Sequence, residues 1–513
     1  LFAVFAALLI ASHAPLLRLP YFWDEAGYYI PAARDLLAGS LIPHSTPSNA
    51  HPPLVLVYLA LCWKVFGQSP LVTRCAMLMA AAFSLLGFFR LARTASNSTV
   101  ATASTLLTAV YPVFFAQSSL AQVDLPAAGL IFWGLDSYVR ERRGNAAIWF
   151  SLAAFAKETA ILVPLALFAW ELVCWFIARG QSDREGHGFQ PCRLSANAGL
   201  VRQTTMLLVP LIPLAAWYIY HHARTGFIFG NPEFFRYNVQ ATLHPLRIFL
   251  AMLLRLWQTV GYLSLYFLTI ACLLAMRRSP VQDSGIPRQR IAIPVQLSFL
   301  AVAVVYVVTL SIIGGAVLAR YMLPVVPLVI LVCVSTVWRR LRHWKIVLAL
   351  VALAFVFSLF VNPPYGFSPE DNLAYRDFIL LHQRADRLLE TEYPNARVLT
   401  AWPASGELTQ PYLGYVSRPM QVVQIEDFTA EQLLSATAAN SRCDLALVFS
   451  TKYRPPRSVL DRWHLWQEWK TRYFGYHVDL SPEASATLLN GSVIYAEPMR
   501  GQWIGIIEIS SSK

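Results

Sequence analysis

The chain has 513 residues, 56% of them hydrophobic and only 14% charged. A soluble globular protein carries roughly a quarter charged residues, so this composition excludes a soluble enzyme and points to an integral membrane protein. The 41 Lys and Arg against 29 Asp and Glu give a net charge of +12, but no basic run is interleaved with aromatics. That excess reads as cytoplasmic anchoring with no nucleic-acid partner.

A span needs about 20 mostly apolar residues, and Lys and Arg collect at its cytoplasmic end. The sequence opens at Leu1 rather than at a methionine, and Leu1–Leu17 imitates a secretory leader. No A-x-A-like cleavage site follows and many further spans do, so we read it as a first anchor running outward. Directly behind it, "LRLPYFWDEAGYYIPAARDLLAG" (17–39) sets two adjacent acids, Asp24 and Glu25, among aromatic residues. One reading is an interfacial belt, with Tyr21, Phe22 and Trp23 at headgroup depth and the acids facing water. Pro31 either starts the next helix, leaving the acids on a loop, or kinks it.

"PPLVLVYLALCWKVFG" (Pro52–Gly67), interrupted by Lys64, reads as an interfacial helix. Leu71–Leu91 then returns inward to Arg90 and Arg93, Val100–Phe115 runs out, and Leu125–Val139 comes in to "RERRG". Ala146–Ala156 goes out, and Thr159–Ile177 returns to the polar, basic "ARGQSDREGHGFQPCR". Thr205–Tyr220 leads out to a long loop beginning at His221, and Phe249–Met276 returns to Arg277 and Arg278. Ile291–Ile313 runs out, Met322–Val337 comes in to "WRRLRHWK", and Ile346–Val361 makes the last crossing outward. This is about eleven spans, with the C-terminus on the same side as Asp24 and Glu25. The seven cysteines are scattered without a C-x-x-C pair, which indicates neither a zinc site nor a disulfide framework.

From Asn362 the composition changes, so residues 1–361 read as a transmembrane domain and residues 362–513 as a small extracytoplasmic α/β domain. "SPEDNLAYRDFILLHQRADRLLETEY" opens with a Ser-x-x-Asp capping pattern and continues at helical spacing. The runs "ARVLTAW", "MQVVQI", "DLALVFS" and "QWIGIIEIS" read as strands, alternating with helical stretches such as "TAEQLLSATA". "NGS" at 490–492 fits a glycosylation sequon, a pattern that chance also supplies.

Charged groups at membrane depth are costly and often functional. At the outer span ends the sequence sets Asp24, Glu25, His51, Asp124, Lys157, Glu158, Arg320 and Tyr321, while His221, His222 and Arg224 open the long loop. Each has a plain alternative. Asp124 before Leu-Pro could be a helix N-cap, Lys157 could snorkel, Arg320 could anchor in headgroups, and His51 could be an ordinary interface histidine. The cytoplasmic ends carry mostly plain Arg clusters, and an orientation rule does not require the mixture seen outside. A carboxylate can take a proton from an attacking hydroxyl, and Lys or Arg can hold a phosphate and stabilise it as it leaves. Together these suit transfer of a group from a lipid phosphate to an acceptor hydroxyl.

The motifs "WDEAGYY", "HPPL", "QVDLPAAGLIFWGL", "FAKETAILVP" and "ARYMLPVVP", in that order across roughly the first 340 residues, resemble the GT-C class of polyprenyl-phosphate-sugar-dependent membrane glycosyltransferases. The nearer likeness is to the bacterial protein O-mannosyltransferase-like enzymes and lipid A aminoarabinose transferases. The resemblance implies a polytopic α-helical enzyme that transfers a monosaccharide with inversion from a polyprenyl-phosphate donor at the outer face of the cytoplasmic membrane. Protein, lipid A or another glycan would be the acceptor. It implies Asp24 as catalytic base, Glu25 as its motif partner and Asp124 as a second acid. Lys157, Arg320 and His51 would lie on the donor phosphate, with Glu158, Tyr321, His221 and Arg224 as further candidates. Some relatives bind a divalent metal near the first loop, which leaves the cofactor open. The aminoarabinose transferases carry an Arg three residues after the first acid, where this chain has Gly27. The rivals are a lipid or glycan transporter, for which no internal repeat is found, a ligase of whole glycans, and a non-catalytic scaffold.

Overall fold

The computed structural model describes residues 1–181, 204–230, 232, 235–236, 239–438, 443–455 and 462–510. Most of the basic segment after Ala178, with Cys192, and parts of the loop after Gly230 lie outside them. Each apolar stretch read from the sequence folds as helix. Five helical segments combine the length and hydropathy to cross a membrane: Pro70–Ala95, Glu158–Ile177, Met206–Thr225, Pro245–Met276 and Ile293–Ile312. Phe2–Leu16, Leu54–Phe66, Ser98–Val110 and Trp344–Phe360 are apolar but shorter. A proline explains one shortening, since Ser98–Val110 ends at Tyr111 and Pro112 starts a separate helix to Gln117.

Without water to drive them together, membrane helices associate through close packing of small residues. Helix Asp124–Val139 is wedged between Pro70–Ala95 and Arg143–Ala156. At Gly129 a Cβ would stand 1.9 Å from Ser84 Oγ, so only glycine permits that approach. The Pro245–Met276 segment is broken, with Leu263 (φ 45°) and Ser264 (φ 68°) left-handed at the break. The break is tied down: Leu263 N–H donates to the Tyr365 hydroxyl at 3.1 Å, and Ser264 shares a hydrogen bond with Ser358. Among the described cysteines five are free. Cys174 is disulfide-bonded, which the scattered spacing did not foretell.

A short hairpin, β1 (Gln282–Asp283) with β2 (Ile286–Pro287), turns after Arg277 and Arg278. The C-terminal region holds a five-stranded mixed sheet of β3 (Arg397–Ala401), β4 (Gln421–Ile425), β5 (Leu445–Phe449), β6 (Gly491–Met499) and β7 (Gln502–Ile509). Their order is β4-β3-β5-β7-β6, with β4, β3 and β5 parallel and β7 antiparallel to both β5 and β6. Every residue of β5 is buried, as expected of a central strand covered on both faces. Four of the strands coincide with runs read from the sequence. The fifth, β6, does not: it carries the sequon's Gly491 and Ser492, behind Asn490 at φ 51°.

The sheet region does not own its core. Leu16, Leu19, Tyr21, Phe22, Ala26 and Ile30 share one apolar cluster with Tyr375, Phe378, Trp402's neighbour Ala401, Leu413 and the strands. Phe22 meets Phe378 edge-to-face at 5.3 Å, Trp23 meets Trp402 at 5.0 Å, and Tyr21 N–H donates to Leu413 O. The interfacial-belt reading therefore fails for Tyr21 and Phe22, while Trp23 stays partly exposed. Tyr21 and Phe22 are buried in protein and dock the first loop beneath the sheet.

Gly27 has its reason here too, because a Cβ would stand 2.6 Å from the Trp402 ring. We expect Gly27→Ala to lower stability by about 1–3 kcal/mol through overpacking. Trp402→Ala placed in the same chain should cancel most of that increment. Thermal midpoints of the two singles and the double check it, and additive losses would contradict the contact.

Candidate active site

The stretch that carries the two acids is shaped by its backbone. Trp23 is left-handed at φ 42°, a conformation bulky residues adopt only under constraint. A π-helical turn over Glu25–Tyr29 follows, before the α-helix Ile30–Leu37 with Pro31 in its first turn. Helical backbone therefore runs unbroken from Asp24 through Leu37: the acids stand at its start and not on a loop before it, and Pro31 lies within the run, just past the π-helical turn.

The adjacent acids point to different surroundings. Glu25 is fully buried and saturated. Its oxygens accept from Phe22 N–H at 2.8 Å, Ala121 N–H at 2.5 Å and both terminal nitrogens of Arg74, which also holds the carbonyls of Pro20 and Ser119. A carboxylate with every lone pair engaged has none for a substrate, so the expectation that Glu25 is catalytic is corrected to a scaffold role. Arg74, one turn inside a long apolar helix, was missed. Its signal was a lone charge within a span.

Asp24 faces the other way and is joined by residues from distant parts of the chain. Arg320, in the turn Ala319–Met322, donates from Nη2 to Asp24 Oδ2 at 2.6 Å and from Nη1 to Glu370 Oε2, and its Nε stands 3.3 Å from Asp124 Oδ2. Lys157 leaves helix Arg143–Ala156 in an extended conformation, and its Nζ donates to Asp124 Oδ1. Asp124 is the first residue of its own helix but caps nothing with its side chain, so the N-cap reading fails. Lys157 and Arg320 are both buried, and neither snorkels nor anchors in headgroups. The Tyr321 ring lies 3.9 Å from Lys157 Nζ, 5.5 Å from the Arg320 guanidinium and 5.4 Å from that of Arg255. Asp24 keeps an opening, with its side chain 22% exposed and Oδ1 without a hydrogen-bond partner among the described residues.

Two buried arginines hold the loop that leads to Arg320. Arg247 donates to Gly314 O at 2.7 Å, and Arg255 donates to Leu318 O at 2.8 Å and Ala316 O at 3.1 Å. Neither was foreseen. Glu370 and Asp371, read as part of a capping pattern, are likewise unforeseen members of the site. The helix after them begins at Ala374, whose N–H is held by Asn372 Oδ1. Glu370 also accepts from Gln122 Nε2 at 2.8 Å, and Asp371 accepts from Tyr262 at the helix break at 2.6 Å. Burial raises Glu370 from its ordinary value, Arg320 opposing and Asp24 adding to the rise. Burial and then the neighbouring Glu370 push Asp371 up to about 7.

The remaining candidates are not brought to this cluster. His51 Nδ1 pairs with Glu158 Oε2 at 2.7 Å, so these two candidates engage each other. His221 is buried, bonded to Ser48 Oγ and Phe227 O at 2.8 Å each, and ties two loops together. Arg224 is exposed on the end of its helix. Among the described residues no group of three or more His, Cys, Asp or Glu is arranged to hold a metal ion, and the three converging carboxylates close on a guanidinium that fills their centre.

The adjacent acids should separate on substitution. Glu25→Gln leaves Arg74 buried without its counter-charge and is expected to cost about 3–5 kcal/mol of stability, whereas Asp24→Asn should leave the thermal midpoint within about 1 kcal/mol. Equal losses would contradict the division. Asp371, with a folded value of about 7 against an ordinary 3.8, binds its proton more tightly folded than unfolded. Its stabilisation is complete below pH about 4 and is lost as pH rises through about 7. Asp371→Asn should therefore gain on the wild type as pH is raised from about 5 to about 8. Parallel midpoint profiles would contradict the shift.

Residues 50–182 match the profile of the dolichyl-phosphate-mannose-protein mannosyltransferase family. No curated protein matches the sequence. Among solved structures, the chain superposes on ArnT from Cupriavidus metallidurans bound to undecaprenyl phosphate with a TM-score of 0.57 and 13% identity, over 99% of this chain and 98% of that one. The same protein in its apo state gives 0.53 and 13%, over 98% and 97%. The chain is thus similar to the GT-C glycosyltransferases in a stretch of its sequence and, along nearly its whole length, in its fold.

Proposed function

We propose that this chain transfers one sugar from a polyprenyl-phosphate donor to an acceptor hydroxyl, with inversion, at the outer face of the cytoplasmic membrane. About eleven crossings would set the sheet region, residues 362–513, on that same outer face. Protein, lipid A or another glycan would be the acceptor, the choice of which falls to the sheet region. The observation that carries this reading is Asp24, with one carboxylate oxygen open and the other 2.6 Å from a buried guanidinium.

The chemistry follows from those positions. The acceptor oxygen attacks the anomeric carbon from the side of Asp24, whose Oδ1 takes the hydroxyl proton as the new C–O bond forms. The bond from that carbon to the phosphate oxygen breaks, and polyprenyl phosphate leaves with one more negative charge. Arg320 and Lys157, backed by the Tyr321 ring, are the cations positioned to receive that charge. The likeness to an undecaprenyl-phosphate-bound structure and to a family named for a dolichyl-phosphate sugar agrees with such a donor. One observation favours transport instead: the Pro245–Met276 segment is interrupted, as transporter helices are. Its free backbone and side chains are spent on Tyr365, Ser358 and Asp371, which ties the break to the protein and leaves no ion site in it.

The test is release of free polyprenyl phosphate from a panel of labelled polyprenyl-phosphate monosaccharides, with the protein in lipid and envelope extract as acceptor. One donor should be consumed by wild type and spared roughly 10²–10⁴-fold by Asp24→Asn. If no donor is consumed while one is carried across the bilayer, transport replaces this reading.

A further inference from the structure

Arg320 is a crowded cation. Each of its three nitrogens already faces a carboxylate: Asp24, Asp124 and Glu370. If Arg320 receives the donor's phosphate, as proposed above, the phosphate arrives as a fourth anion on one guanidinium, and one of the three has to give way. Asp24 is needed as the base. Asp124 keeps Lys157. Glu370 has a neutral partner to fall back on, since the oxygen it offers Arg320 also accepts from Gln122 Nε2 at 2.8 Å, while its main-chain carbonyl is held by Gln117.

Glu370 is 3% exposed, and the charged groups around it are Arg320, Asp24, Asp124 and the adjacent Asp371, itself bonded to Tyr262. Once separated from the guanidinium, a buried carboxylate so placed keeps only the neutral Gln122 amide against the like charges of Asp24, Asp124 and Asp371, and the charged form is disfavoured. We propose that Glu370 is a proton-coupled gate on the donor site: the phosphate displaces it from Arg320, and Glu370 takes one proton from solution as it leaves. The charges balance. A singly charged phosphodiester enters with one proton, so the site's net charge is unchanged and no covalent bond is made or broken. When the phosphate departs, Glu370 returns the proton and re-forms its ion pair. Glu370 touches no reacting atom in this scheme and acts through Arg320, so it is a positioning residue.

The inference rests on the transferase reading only as far as the binding of a polyprenyl phosphodiester. The probe is polyprenyl methyl phosphate, a sugar-free diester that does not itself titrate near neutrality. It is added to the full-length protein in lipid nanodiscs and followed by calorimetry at pH about 7.5 in buffers of different ionisation enthalpy. Wild type should take up about one proton per ligand bound, and its affinity should weaken by up to tenfold per pH unit. Glu370→Gln should bind at least as tightly with no uptake, whereas Asp371→Asn should keep it. Binding without uptake by wild type overturns the gate, as does uptake that survives Glu370→Gln or vanishes in Asp371→Asn. Should Glu370→Gln fail to fold, a wild-type affinity independent of pH overturns it equally. If wild type does not bind the probe at all, the transferase reading itself falls, and the gate with it.

Discussion

The structure turns on one guanidinium. Arg320 is buried, and burying an ion is favourable only when partners replace the water it has lost. Its partners come from residues 24, 124 and 370, so a single cation closes the beginning, the middle and the far end of the helical region onto one point. Lys157 takes part of the charge of Asp124, and the Tyr321 ring lies against both cations. Three acids meet two cations here, so removing one acid leaves both cations paired, whereas removing Arg320 would leave Asp24 and Glu370 without their cation in a poorly solvated pocket.

The loop after the first helix shows how neighbouring residues are given opposite tasks. Glu25 is spent entirely on Arg74 and two backbone N–H groups, those of Phe22 and Ala121, while Asp24 is turned toward Arg320 by the left-handed Trp23 before it. The arginine expected three residues beyond the first acid is absent, and Gly27 lies under Trp402 where a side chain has no room. The guanidinium that meets Asp24 is that of Arg320, almost 300 residues later in the chain.

How much of this was legible follows from range. Helices read from hydropathy recur because apolar runs of about 20 residues leave the backbone few other choices, and β3, β4, β5 and β7 were visible as short β-branched runs. β6 was hidden because its start looks like a sequon and Pro498 interrupts it. Asp24, Asp124, Lys157 and Arg320 could be suspected one at a time from their cost at membrane depth, but that Arg320 collects three carboxylates is a long-range fact with no local trace. Glu370 and Asp371 did leave a signal that a capping pattern masked: two adjacent acids just beyond an apolar helix, the same arrangement as Asp24 and Glu25. Tyr21 and Phe22 were misread for a related reason. A belt and a buried docking face have the same composition, and only the sheet region lying over them decides between the two.

The core shared by the first loop and the sheet region also has a consequence for biosynthesis. Asp24 is made well before Phe378, Trp402 and Leu413, against which its loop packs, and before Glu370, which completes the ring around Arg320. At about 5–20 residues per second, on the order of half a minute passes between synthesis of this loop and of the residues that clamp it. During that interval the two halves of the acidic ring have not met. A ribosome that stalls or a transcript cut short ahead of Glu370 therefore yields helices without the constellation.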